Sequence, residues 1–556
     1  MERRVLLAAV LSGVVIILWF SLFAPQRPPA GPAAPPPAVG STPVSQPGAP
    51  PVPAATPHPQ VPVLPAVVGQ DAGEIALEGE GWHGLVNPKG GVLTSLILSE
   101  YKDDAGAPLE LVQPGVPAPL SVGAPGPWND ELYQVERGSG WLGLRWSDGK
   151  GNWVEKRVSA GKGKYALEVE VRGGGEPASV GVVVATGLQK GLKSEEQGRF
   201  GGLGAVVRVG GKVERVSAAK LDAPQPVRGA IDFAGVEDQY FLVVLLPSSG
   251  LEGVRIEGVQ ARDPGVGRDA TVPGAGSADA TRSDATPAPA AKAKPPGRLP
   301  QVVAVGSGGV VRGTLYAGAK ERGTLVGYGR GLEETLSFGI FGFLSVGFLA
   351  ALRWIHSWVA NWGVAIIVLT AGIRLLLFPL NHKSAVQMKR MQALQPKMKA
   401  IQDRYKDRAK KDSTVRARMN QEVMALYKQE GVNPMGGCLP MLVQLPILWA
   451  LYTLFAYAIE LRQAPFMFWI KDLAAKDPTY ITPILMTASM VLQQRMAPQM
   501  GDPAQRRMFM LMPFIFGFMF MSFPSGLVLY WLVNNLFTIG QQVLTEKMMT
   551  GAEPAK

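Results

Sequence analysis

Arg374 is the lone charge inside the apolar run Trp362–Leu380, six residues before its end, which is about 9 Å of helix. An arginine at that depth of a bilayer costs roughly a few to more than ten kcal/mol unless its head reaches water or a partner. The other apolar runs, Leu439–Ile459, Ile481–Met496, Met508–Phe523 and Gly526–Leu544, hold no Asp or Glu to pair with it. Two readings remain. The guanidinium snorkels along its own stem to the nearer interface, or it lines a wet polar recess open to that side. The missing acid favours the recess. Thr370 lies one turn before Arg374, and Gln444 sits in Leu439–Ile459. Trp531, Asn535, Thr538 and Gln542 recur at spacings of four, three and four, on one face of the last run. Plain hydrogen bonding between helices is the rival use of each such group. A cation among amides and hydroxyls can bind and solvate a polar segment; it has no means to cleave one.

Covalent and metal chemistry find no support. Cys438 is the only cysteine, so there is no disulfide framework and no cysteine-based metal cluster. It lies in Gly436-Gly437-Cys438-Leu439-Pro440, at the start of an apolar run, where packing is the expected role. No carboxylate pair, histidine cluster or phosphate-binding glycine loop accompanies it. The expectation is a protein that is not an enzyme and uses no metal and no cofactor. Methionine usage points the same way: Met486, Met490, Met496, Met500, Met508, Met510, Met512, Met519 and Met521 crowd the fourth and fifth runs. Flexible, polarisable side chains suit contact with varied apolar partners, although lipid-facing or core packing is the alternative.

These groups need elements to position them. Arg3 and Arg4 precede Val5–Phe23, an uncharged stretch of the length a transmembrane helix needs. Pro25 directly after Ala24 argues against a cleaved signal peptide. Residues 1–24 are therefore expected to anchor the chain and 25–66 to form an extended proline-rich linker. No Lys or Arg occurs between Pro28 and Pro88, which places that region outside and the N-terminus in the cytoplasm.

From 67 to 332, β-prone runs such as Tyr165–Val171 and Val180–Val184 alternate with Gly and Pro turns, as in a β-sandwich. Its expected role is scaffold or docking domain, with a disordered insertion at about 263–300. Residues 333–358 read as an amphipathic helix lying on the outer interface. Were Leu336–Leu352 a span, Asn381–Val432, with thirteen Lys/Arg against five Asp/Glu, would fall outside, against the positive-inside rule. Spans are then expected at 359–381, 437–459, 480–497, 508–523 and 525–544. Together with the anchor that makes six, with both termini cytoplasmic. Residues 382–436 read as a basic cytoplasmic helical hairpin whose outer face suits RNA or anionic lipid, its first helix kinked at Pro396. The fold class is a polytopic α-helical membrane protein with a large outer β-sandwich domain. A net charge of +11 fits this basic loop without choosing between lipid and nucleic acid.

Ordered motifs in the second half resemble the YidC insertase family. They are Asn361-Trp362-Gly363, Arg374 with Phe378-Pro379-Leu380, Leu394-Gln395-Pro396-Lys397, Asn433-Pro434-Met435-Gly436-Gly437-Cys438, Glu460–Phe466 and Phe523–Trp531. In the β-rich region Asp238–Phe241 and Leu315–Glu321 look like family counterparts. The resemblance implies a five-helix core around a hydrophilic groove, closed to the outside and open to cytoplasm and lipid. By the resemblance Arg374, Thr370 and Trp531 would line it; the polar positions Gln444 and Asn535 are expected to join them, and the methionine-rich runs are expected to supply Met486, Met490, Met512 and Met519 as the surface along which an apolar client slides. It implies a periplasmic β-supersandwich and a bacterial inner-membrane location. The partners implied are nascent inner-membrane proteins, the Sec translocon, the ribosome and membrane lipids, and not DNA. Two features depart from the family pattern. One is the 263–300 insertion; the other is a tail after Gln542 in which Glu546 and Glu553 balance Lys547 and Lys556. A secondary transporter would also fit an intramembrane arginine, but no inverted repeat is visible. A membrane-bound glycan protein would fit the β-domain, but a catalytic acid pair has no candidate.

Overall fold

The computed structural model describes residues 64–67, 69–175, 181–189, 202–217, 220–260, 298–405, 412–432, 439–496 and 503–550. The expected N-terminal anchor, nearly all of the linker and of the 263–300 insertion, Cys438 and Met500 lie outside these residues. Two compact units result. The larger joins the β-rich region to the apolar helices; the smaller contains the hairpin, 387–437.

In the larger unit the described strands form three antiparallel sheets. β1 (Ile75–Gly79), β2 (Trp82–Asn87), β3 (Val92–Lys102) and β4 (Pro108–Glu110) make a meander. A nine-stranded sheet runs β11 (Lys212–Ser217), β10 (Gly204–Val209), β13 (Ile231–Glu237), β14 (Phe241–Pro247), β17 (Val310–Ala319), β8 (Ala166–Gly174), β7 (Trp153–Ala160), β6 (Trp141–Ser147) and β5 (Gln134–Gly138). The third sheet is β12 (Gln225–Val227), β15 (Leu251–Val259), β16 (Leu299–Gly306) and β9 (Gly181–Thr186). Exposure alternates along β6 and β7, as expected where one face meets solvent, whereas every residue of β14 is buried. Lys156 is buried within this core. Its ammonium donates to the carbonyls of Gly90, Gly91 and Leu120 and lies over the Tyr133 ring, so the charge is fully partnered.

The helical part begins with α1 (Arg322–Tyr328) and α2 (Gly342–Val359). It continues with α3 (Trp362–Ala393), α4 (Gln395–Tyr405), α5 (Ser413–Gln429), α6 (Leu439–Tyr457), α7 (Ile481–Met496), α8 (Pro503–Phe520) and α9 (Ser525–Thr550). By length and composition α2, α3 and α9 could each cross a membrane, and α6 and α8 contain shorter apolar stretches. The family motifs explain how these helices start. The Asn361 carboxamide accepts from the Val364 N–H, capping α3, while its NH2 donates to the Phe466 carbonyl. Gly363 follows because a Cβ there would lie 2.1 Å from the Phe466 ring. At α9, Ser525 Oγ donates to the carbonyls of Asp472 and Ala475, and the Gly526 N–H to Leu473, fixing the helix start to the loop of residues 458–480 between α6 and α7, the outer loop of the expected topology.

The β-rich part is docked on this outer loop. The Asp238 carboxylate accepts from the Tyr240 and Phe241 N–H groups and shapes the turn between β13 and β14. That turn presents Gln239, whose amide donates 2.5 Å to the Ala456 carbonyl, one of the orphan acceptors at the end of α6. Arg462 donates to the Lys102 carbonyl and covers the Phe241 ring, and Ile459 is buried with the β-domain core. The entry to α2 is held on the same side, because Arg215 donates to the Thr335 carbonyl. Its exit is held there too, because Arg353 pairs with Glu460 at 2.9 Å. Between these ties α2 packs on α6, with Ser345 Oγ 2.9 Å from the Ala450 carbonyl.

The hairpin is an antiparallel helix pair. Leu394, Tyr427 and Val432 form its small core. Lys397 meets Glu430 and the Tyr405 hydroxyl donates to Glu422, which explains why Glu422 interrupts an otherwise apolar face. The break falls at Leu394, so Pro396 sits in the first turn of α4, where its missing N–H costs nothing.

Candidate functional site

Burial among the helices is lopsided. On α3 the buried residues are Gly363, Ala365, Ile366, Leu369 and Thr370, and then none until Ser384. On α6, Ala450, Leu451, Leu454, Phe455 and Ala456 are buried, as is Ala458 just after it, whereas Leu442 and Leu445 are exposed. Leu527–Tyr530 of α9 complete one cluster with Leu461, Ile470 and Leu473 of the outer loop. The half nearest the β-rich part is therefore a packed plug. The half beyond it is loose.

Arg374 lies where the plug ends, one turn past Thr370, and is half-buried. Its Nε donates 2.6 Å to Asn534 Oδ1 on α9. Arg374 makes no ion pair among the described residues, so its terminal nitrogens are left for another ligand. Beside it stands Tyr530, within electrostatic reach of the guanidinium, whose hydroxyl receives the Gln444 amide at 2.6 Å. Further along, Gln541 donates to the Phe378 carbonyl at 3.3 Å, and His382 Nδ1 lies 3.3 Å from Thr545 Oγ1. Tyr530, Asn534, Gln541 and Thr545 thus form a polar strip on α9 that faces α3 and α6.

The residues of the face expected from sequence have other neighbours. Asn535 is buried and donates 2.9 Å to Ser489 Oγ on α7, and Trp531 packs against Phe516 and Phe520 of α8. Both belong to helix packing. The polar strip lies one residue, or about 100°, around the helix from that face. Thr370 also turns away, its hydroxyl donating to the Ile366 carbonyl of its own helix. Of the expected recess residues, the structure brings Arg374 and Gln444 together, joined by Tyr530 and Asn534, which the sequence reading missed. Their spacing of four was the available signal, but adjacent Asn534 and Asn535 offer two faces and nothing local chooses between them.

The methionines divide as well. Met486 has 0% of its surface exposed, and Met490 is partly buried and packs against the same core. Met512 and Met519 are 38% and 42% exposed and share a stripe of α8 with exposed Met508 and Ile515. Burial of Met486 follows from the close packing of α7 against both α8 and α9.

In the outer loop, Asp477 caps α7. Burial alone would raise its pKa, but hydrogen bonds from Thr482 and Thr479 hold the carboxyl down to about 2.

The model of the 60Kd inner membrane protein family matches residues 354–552, and that of the YidC periplasmic domain matches 74–350. A Geobacter metallireducens protein named membrane protein insertase YidC is 35% identical over 100% of both chains. One of that name from Syntrophus aciditrophicus is 33% identical, covering 98% of this chain and all of its own. A solved structure titled as an active YidC insertase with its first transmembrane domain resolved covers 87% of this chain and 95% of that one. At 18% identity and a TM-score of 0.35, that superposition adds nothing to the sequence match. With a periplasmic domain joined to a bundle of apolar helices, and relatives matched end to end, the chain belongs to the YidC family of inner-membrane protein insertases.

Proposed function

We propose that the recess around Arg374 receives the polar tail of a client membrane protein while the client's apolar segment moves along the exposed Met508–Met512–Ile515–Met519 stripe into lipid. The observation that carries this is Arg374 at the floor of the packed outer half, oriented through Nε by Asn534, with no acid against it among the described residues. A cation placed there attracts a client carboxylate more strongly than it could in bulk water, and its own hydration keeps the recess wet. No bond is made or broken; the protein lowers a desolvation barrier. Gln444, Tyr530 and Asn534 offer hydrogen bonds to backbone or side chains that have left water.

The topology is six spans with both termini cytoplasmic and the β-domain periplasmic, divided at the boundaries read from sequence. α2 lies along the outer interface. Its two ties to the β-domain side, Arg215 to Thr335 and Arg353 to Glu460, support that reading, as do the exposed Trp354 and Trp358. The hairpin receives clients, and the ribosome, the Sec translocon and anionic lipid are its partners; assistance to client folding follows from the same groove. The test is reconstitution in liposomes without nucleotide. Insertion of a short membrane protein with no small-solute flux is expected. Flux without insertion would replace this reading by a transporter.

A further inference from the structure

The face of α8 turned away from the methionine stripe borders a separate cleft. Phe514, Gly517, Phe518 and Met521 form one wall, and Ile484, Thr487, Ala488, Val491 and Leu492 of α7 the other. Its volume is about 540 Å³. The helices touch at Gly517, where a Cβ would meet Thr487 Oγ1 at 2.1 Å, and the Thr487 hydroxyl is satisfied by the Pro483 carbonyl of its own helix. Pro513 deprives the Phe509 carbonyl of its helical donor, and Gln494 supplies one at 2.5 Å. The walls are therefore apolar and their polar atoms already paired. At the end of the cleft nearest the α7–α8 connection stands Arg495, exposed and without an ion pair among the described residues. From Ile484 to Arg495 the groove runs about 16 Å along α7.

Such a cleft opens toward hydrocarbon in a membrane-embedded bundle, where neither water nor a polar chain is stable. Its occupant must be apolar along the helices and anionic at one end. We propose that the cleft holds one acyl chain of an anionic glycerophospholipid, with its phosphate on Arg495. A client segment is disfavoured here, because the stripe it would follow lies on the opposite face of α8. The leaflet assignment, and only that, rests on the topology proposed above: the α7–α8 connection is cytoplasmic, so the lipid belongs to the cytoplasmic leaflet.

The test reads lipid binding and not insertion, so it is independent of the proposed mechanism. Full-length protein in detergent is titrated with dioleoyl phosphatidylglycerol or dioleoyl phosphatidylcholine, and retained lipid is counted by native mass spectrometry. Wild type should prefer phosphatidylglycerol by roughly fivefold, the value of one basic residue near an anionic headgroup. Arg495→Gln should lower the preference, while Lys212→Gln, at an exposed position of β11 in the β-rich part, keeps it. Ala488→Trp should reduce retention of both lipids by filling the cleft; Val491→Phe serves the same purpose if the tryptophan variant fails to fold. Glycerol phosphate, which lacks acyl chains, should not compete. Unchanged preference in Arg495→Gln, unchanged retention in a folded filling variant, or competition by glycerol phosphate each overturns the proposal.

Discussion

Replacing Arg374 by alanine removes a half-buried cation whose Nε is held by Asn534 and whose terminal nitrogens are open to a ligand. A client carboxylate reaching within roughly 5 Å of it would gain about 0.8 kcal/mol at the dielectric constant of water and about 3 kcal/mol at the effective value of 20 typical near protein surfaces. A half-buried site lies between these limits, so the loss is about 1–3 kcal/mol, or roughly fivefold to a hundredfold in the insertion rate of an acidic-tailed client. The assay uses matched clients that differ only in tail residues, aspartate against asparagine, presented to liposomes holding equal amounts of each variant. Arg374→Ala should slow the acidic client by that factor and the neutral one by less than roughly twofold. Arg374→Glu should be worse for the acidic client because attraction becomes repulsion. Arg374→Lys should retain much of the rate, since a field is required more than a bidentate geometry. Asn534→Ala should cost less than Arg374→Ala, because it loosens the guanidinium without removing charge. Equal slowing of acidic and neutral clients, or no slowing of either, would refute the role given to the charge and leave Arg374 snorkelling.

Removing Val67–Pro264 would strand β16 and β17, whose partners β9, β15, β14 and β8 lie in the deleted part, so a clean truncation removes 67–320 and keeps Glu321 onward. Insertion by that truncation should be largely retained, while its melting temperature in detergent should fall because Ile459, Arg462 and the Ala456 carbonyl lose their cover; loss of insertion in a stably expressed truncation would give the β-domain a direct part. Deleting 406–414 at the hairpin tip should slow insertion and leave the thermal unfolding of the remainder unchanged; unaltered insertion kinetics would reduce the hairpin to an orientation signal. Asp477 is held at about 2 in the folded protein against about 3.9 unfolded, so its stabilisation of about 2 kcal/mol is complete above about pH 4 and disappears as pH falls toward 2. Detergent melts of Asp477→Asn at pH 7 and pH 3 should therefore differ from wild type mainly at the higher pH; a difference that does not shrink on acidification would contradict this assignment.

Much of this protein is legible without its fold. Apolar length marks the candidate membrane segments, and the alternation of Tyr165–Val171 marks β-structure. The capping motifs are local enough to carry their meaning in the sequence, as Asn361 and Gly363 show at the start of α3. Periodicity relates residues within one helix but leaves the rotation of that helix about its axis undetermined. Packing decides it, through neighbours distant in sequence. Phe516 and Phe520 take Trp531, and Ser489 takes Asn535, so Asn534 is the residue left to meet Arg374. The same contacts bury Met486 while Met519 stays exposed, although sequence treats the two alike. The link from Gln239 to the end of α6 spans 217 positions and depends on where the last carbonyls of that helix lie once the bundle has formed. Local chemistry indicated which segments are apolar enough to cross and which residues are able to bind; the tertiary fold decided which of them face one another, because only close packing selects one rotation from those that helical periodicity allows.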